Sequence, residues 1–185
     1  MPETSRHPAL ARCILDRAVK RGSFVLAGGQ TSDYYCDIRL VSLSGEGASL
    51  IADALLEETQ GLAFDALGGM DMGATPIAAA FGLRAFERGL DIPTFVVRKQ
   101  AKGHGTRKRI EGPLPDEPAR VVIVDDVVTS GGSLIGAVEA AREAGHEVVR
   151  ALAVLDRESG GAANIASAGV AYQPLVTVSE LGLGA

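Results

Sequence analysis

The sequence predicts an α/β protein, with a mainly parallel central sheet, helices on both faces, and a small hood built from the two ends of the chain. Three observations predict it. From about residue 64 onward, short apolar runs alternate with stretches of helical period. RVVIV at residues 120–124 is an unbroken apolar run, as expected of a strand buried on both faces. The first forty-odd residues fall outside that rhythm and read as a helix followed by a hairpin.

In chain order, PALARCILDRAVKR (residues 8–21) places Leu10, Ile14, Leu15 and Ala18 on one stripe, and Gly22 ends the helix. SFVLAGGQTSDYYCDIRL reads as two short strands around a Gly-Gly turn. A helix is predicted over residues 47–59, between Ser44 and Gly61. A short strand at 64–67 leads into GGMDMGATP, and an alanine-rich helix over 76–88 has Pro76 in its first turn. The next strand is 93–97. Residues 100–118 carry many charges, several Gly and Pro and no apolar period, so they read as a long loop or a weak hairpin. Strand 120–124, a helix over 133–144 closed by Gly145, strand 147–155, a short helix over 165–168 closed by Gly169 and a last strand over 172–178 complete the order. No repeat, low-complexity tract or linker interrupts it. Residues 1–185 are expected to form one domain, with a core over about 46–156 and a hood from about 1–45 and 157–185.

Bulk composition narrows the function classes. The net charge of -5 argues against a general nucleic-acid binder. Yet residues 98–109 hold six of the eighteen lysines and arginines and no acid, a local patch suited to a small polyanion. The two cysteines, Cys13 and Cys36, lack metal-ligand spacing and form no disulfide framework. Neither a leader segment nor an apolar run of about 18 residues is visible, so a cytoplasmic protein with no membrane partner is expected.

The most informative segment is VVIVDDVVTSGGS at residues 121–133. A buried strand delivers adjacent acids, Asp125 and Asp126, at its carboxyl end, where open parallel sheets bind ligands. Thr129, Ser130, Gly131, Gly132 and Ser133 then turn into a helix. Glycine lets backbone amides approach an anion, and the helix start adds unpaired N–H groups. Acids beside such a cradle call for a ligand with both phosphate and hydroxyls, a sugar phosphate. Capping by the acids is the plainer alternative for either one alone. A Walker A loop and a GxGxxG fingerprint are both missing, which removes the Rossmann oxidoreductase reading.

This segment resembles the phosphoribosyl pyrophosphate signature of type I phosphoribosyltransferases. The resemblance implies that Asp125 and Asp126 contact the ribose hydroxyls, and that residues 127–133 (Val127 and Val128 with the Thr129–Ser133 loop) hold the phosphoribosyl group. RKQAKGHGTRKRIEG, from Arg98, is similar to the catalytic loop of orotate phosphoribosyltransferases. By that resemblance Lys102 assists catalysis, Arg98, Lys99 and His104 bind pyrophosphate, and the loop reaches the neighbouring site of a homodimer. Physically, cations placed on a departing pyrophosphate stabilise the transition state more than the bound substrate. Glycines flanking His104 give the stretch the freedom that loop closure needs. From charge alone the run reads more readily as a solvated loop, the usual fate of such runs. His7 and His146 have no such company and read as ordinary surface residues.

YYCDIR and LDRES also resemble orotate-enzyme segments. They imply that Arg157 pairs with the orotate carboxylate, that Thr129 also touches orotate, and that Tyr34 and Tyr35 cover the base. The resemblance runs from SFVLAGGQTSDYY to VSELGL, with two departures: Ala27 and Gly73 stand where many or some relatives carry lysine. Mg²⁺, chelated mainly by the phosphoribosyl donor with Asp125 and Asp126 nearby, is the implied cofactor. The alternatives are a purine phosphoribosyltransferase and a non-catalytic sensor of phosphoribosyl pyrophosphate. The basic loop with Lys102, and Arg157, argue against them.

Overall fold

The computed structural model describes residues 4–25, 31–99, 109–115 and 117–183. Six strands form the main sheet in the order β5-β4-β3-β6-β7-β8, and two form a separate hairpin, β1-β2. The main-sheet strands are β3 (Ala66–Met70), β4 (Thr94–Val97), β5 (Ile110–Glu111), β6 (Arg120–Val128), β7 (Glu147–Asp156) and β8 (Tyr172–Thr177). All pairings are parallel except β5, which runs antiparallel to β4 at one edge.

Alternation along the strands sorts side chains to two layers. Val122 and Val124 face the layer of α1 (Pro8–Ala18), α3 (Gly45–Glu58) and α4 (Ala74–Glu87), packing with Leu10, Ile14, Ile51, Leu55, Ile77 and Phe81. Val121 and Ile123 face α5 (Gly132–Glu143) and α6 (Gly161–Ser167), packing with Leu134, Val138 and Ile165. Two buried faces account for the unbroken apolar run of β6, and the crossover helices are what parallel pairing demands.

Several details depart from the sequence expectation. The first helix stops at Ala18 rather than near residue 21, because Val19, Lys20 and Arg21 pair with Cys36, Tyr35 and Tyr34 as β1 (Val19–Val25) joins β2 (Thr31–Cys36). Pairing across the hairpin outweighs helix propensity there. A short helix, α2 (Arg39–Ser42), follows the hairpin. The last strand is not part of a hood: β8 pairs in parallel with β7, and its buried Leu175 and Val176 belong to the main core. His7 and His146 are buried rather than on the surface. His7 is 7% exposed beside Glu57 and Glu58, and His146 is 8% exposed with Nδ1 accepting the Ala119 N–H at 3.2 Å. Both cysteines are free, Cys13 in α1 and Cys36 in β2. Among the described residues, no helix is long and apolar enough to cross a membrane.

Candidate active site

The parallel strands end together, and beyond the carboxyl ends of β3 and β6 lies a cavity of about 340 Å³. Its walls come from three places: Asp125, Asp126 and Val127 of β6 with Ser133 of α5, Met70 to Gly73 after β3, and Tyr35 to Arg39 from the hairpin, with Lys99 at the rim.

Asp125 is 4% exposed, and its Oδ1 accepts the Asp126 N–H at 3.0 Å. Burial first, and the neighbouring Asp126 second, push its carboxyl up to about 7. Asp126 is half-buried, with Oδ1 accepting the Val127 N–H at 2.8 Å. The strand therefore runs through both acids to Val128 instead of ending before them.

Downstream, Gly131 takes the left-handed conformation at φ 83 and is the N-cap of α5, with no side chain capping the helix. The first-turn amides are thus left for an anion. Thr129, Ser130, Gly132 and Ser133 are exposed, and Asn164 of α6 braces the turn by donating Nδ2–H to the Ser130 carbonyl at 2.9 Å. Gly73, on the opposite wall, has its own constraint: a Cβ there would lie 2.5 Å from Asp126 Oδ1. The chain's lack of a lysine at 73 goes with an acid packed directly against the loop backbone.

The structure brings some of the sequence-predicted residues to one place and leaves others apart. Asp125, Asp126, Val127, Ser133, Lys99 and Tyr35 line the cavity. Tyr35 is 41% exposed and tilts against Phe24 with ring centroids 5.7 Å apart. Tyr34 is turned away and buried, its ring 5.1 Å from the Arg157 guanidinium carbon. Arg157 interacts electrostatically with Cys36 of the wall without lining the cavity itself, and its backbone N–H donates to the Val128 carbonyl at 2.9 Å. Val128 is buried and does not line the cavity. Arg98 is paired with Glu111 at 3.1 Å, off the cavity. Lys102, His104 and Ala27 lie outside the described residues.

Sequence reasoning missed Asp37 and Arg39, which reach the cavity joined by bonds of 2.8 and 2.9 Å. It also missed Asp71, whose Oδ1 accepts the Thr75 hydroxyl at 3.0 Å. The signal available was the YYCDIR segment itself, which carries Asp37 and Arg39, whereas GGMDM offers a single polar side chain, Asp71. Cys36 also lines the cavity, and burial raises its thiol to about 11, so it is no nucleophile near neutral pH.

Comparison with known proteins matches this arrangement to others. A family profile described as the phosphoribosyl transferase domain matches residues 46–170, from α3 past α6. A protein of Streptomyces avermitilis named orotate phosphoribosyltransferase is 48% identical over 176 residues, covering 95% of this chain and 96% of that one. The chain belongs to the orotate phosphoribosyltransferase family. Among solved orotate phosphoribosyltransferases, one from Mycobacterium tuberculosis in complex with Fe(III) dicitrate superposes with a TM-score of 0.83 at 36% identity, covering 94% of this chain and 97% of that one. The Mycobacterium tuberculosis enzyme in complex with 5-phospho-α-D-ribosyl 1-diphosphate gives a TM-score of 0.79 at 33% identity, with 94% and 97% covered. The family membership and the mainly parallel sheet agree with the sequence expectation.

Proposed function

We propose that this orotate phosphoribosyltransferase family member transfers ribose 5-phosphate from phosphoribosyl pyrophosphate to N1 of orotate, giving orotidine 5′-phosphate and pyrophosphate for pyrimidine nucleotide synthesis in the cytoplasm. The observation that carries the reading is one continuous unit: two acids on β6, then a glycine turn and an uncapped helix start. Asp125 and Asp126 accept hydrogen bonds from the ribose hydroxyls, and the amides of the Thr129–Ser133 turn hold the 5-phosphate. Lys99 at the cavity rim, with Arg98, Lys102 and His104 of the basic segment, takes the pyrophosphate side. As the bond from the anomeric carbon to pyrophosphate breaks, these cations stabilise the charge that builds on the leaving oxygens. N1 of orotate, giving up its proton to the departing pyrophosphate, then forms its bond to the same carbon, with Tyr35 against the base, Thr129 beside it and Arg157 paired with its carboxylate.

The carboxylates lining the cavity are those of Asp37, Asp71, Asp125 and Asp126, and among the described residues no three acids gather into one metal cluster, which suits Mg²⁺, a hard ion that keeps waters and uses few protein ligands. When bound, Mg²⁺ supplies charge neutralisation on the pyrophosphate, held mainly by the donor with Asp125 and Asp126 nearby. The molecule acts as a homodimer. Leu83 and Phe86 of α4, 65% and 68% exposed, continue to Leu90 at 48% and, at the other end of the helix, to Met72 at the cavity rim. An apolar stripe that starts at one active site is suited to a second copy whose basic loop reaches that site.

The test is pyrophosphate release with Mg²⁺, phosphoribosyl pyrophosphate and one base at a time. Orotate is expected to support turnover, and hypoxanthine, adenine and uracil are not. Lys102→Ala should lower kcat by about a hundredfold or more, the scale of one transition-state contact, with folding retained. Release with a purine alone, or none with any base, defeats the assignment.

A further inference from the structure

Arg157 is held by two distant parts of the chain. On one side its guanidinium carbon lies 5.1 Å from the centroid of the Tyr34 ring, within range of attraction between a cation and an aromatic face. Tyr34 is 8% exposed on β2, so packing fixes the ring that the cation meets. The Arg157 Nε is itself buried and without a hydrogen-bond partner among the described residues. A guanidinium partly stripped of water gains more from an incoming carboxylate than a hydrated one.

On the other side the backbone is anchored. The Arg157 N–H bonds to Val128, and the Glu158 N–H donates to Asp156 Oδ1 at 2.7 Å. Glu158 sits at φ 53, a left-handed conformation that a residue with a side chain keeps only where its surroundings impose it. What imposes it here is Ser179, in the turn after β8, which donates its N–H at 2.8 Å and its hydroxyl at 3.0 Å to the Glu158 carboxylate.

We propose that Tyr34 and Glu158 are positioning residues that jointly preset Arg157 for the acid group of a pyrimidine carboxylate. The inference rests on the reading of Arg157 as the carboxylate partner. It moves Tyr34 from covering the base to acting through Arg157, and leaves the base to Tyr35. A free arginine would lose several rotamers on binding, whereas one already mounted between a ring and an anchored turn has little left to lose. The plainer account, that Tyr34 only packs the hairpin and Glu158 only ties down the last turn, makes a different kinetic prediction.

A double-mutant cycle separates them. Tyr34→Leu, Tyr34→Phe and Glu158→Gly are made with Arg157 present and with Arg157→Ala, and the Michaelis constants for orotate and phosphoribosyl pyrophosphate are measured for each. Tyr34→Leu should raise the orotate constant by about five- to thirtyfold, the scale of a partly desolvated cation–ring contact. Glu158→Gly should raise it in the same direction, the constant for the phosphoribosyl donor should stay within about twofold, and Tyr34→Phe, which keeps the ring, should match the parent. With Arg157→Ala these effects should disappear. Equal losses in both backgrounds, or equal rises in both constants, overturn the positioning role while leaving the Arg157 contact standing. Arg157→Ala with no selective effect on orotate overturns the underlying reading, and the positioning role with it. Glu158 is exposed, so its variant carries the test if Tyr34→Leu fails to fold.

Discussion

Burying a carboxyl group at 4% exposure beside a second acid costs folding free energy whenever the group must ionise. Asp125 ionises near pH 4 in the unfolded chain but only near about 7 in the folded one. Between those values the folded state binds the extra proton, so this residue's contribution to stability falls as pH rises through the window and stays low above it. Asp125→Asn lacks that titration. Its melting temperature relative to the parent should climb from pH 4 to about pH 7 and then level off. A constant difference across that range would show that burial of Asp125 is not what shifts it. The same variant combined with Asp126→Asn should lose phosphoribosyl pyrophosphate binding, since an amide replaces the acceptors for the ribose hydroxyls; calorimetry showing unaltered affinity would remove both acids from the site. A substitution that stabilises the fold while abolishing binding is the mark of a residue kept for its chemistry.

The unit of β6, turn and α5 was legible in the sequence because its parts are contiguous: the acids, the glycines and the helix start follow one another within residues 121–133. What sequence could not give was the clearance at the turn. Gly131 has a left-handed backbone, and a Cβ there would lie 3.0 Å from Ile165 Cγ1 and 3.2 Å from the Gly161 carbonyl. Gly131→Ala is therefore expected to cost about 1 kcal/mol or more of stability, from the left-handed conformation alone. It should also raise the Michaelis constant for the phosphoribosyl donor by disturbing the amides; a weakened orotate constant alone would place the phosphate elsewhere. The limit of α1 at Ala18 was illegible for the converse reason, since residues 19–21 are claimed by β2, a partner that local periodicity does not reveal.

At the scale of the molecule, the cavity draws on residues more than ninety positions apart in sequence, from Tyr35 to Ser133. The parallel topology, read from the rhythm of strands and helices, explains why the carboxyl ends meet. It says nothing of which side chains of the hairpin face the cavity, so Tyr34 and Tyr35 read alike until the hairpin's pairing sends one inward and the other to the rim. Arg39 and its Asp37 partner escaped notice because a charged pair two residues apart looks like ordinary surface. The exposed stripe of α4 gives the assembly its test. Phe86→Asp puts a charge in the middle of the stripe, and sedimentation should show a shift from dimer to monomer with loss of turnover; a variant that remains dimeric would move the subunit contact to another face.

The nearness of Gly73 to Asp126 has a bearing on attempts to improve this catalyst. Restoring the missing positive side chain on that wall looks, from a count of charges, like a route to firmer grip on the donor. Here the newcomer's first carbon would lie 2.5 Å from the very oxygen assigned to the sugar, so that carboxylate would have to swing aside first, and a gain at the diphosphate would arrive together with a moved contact at the pentose.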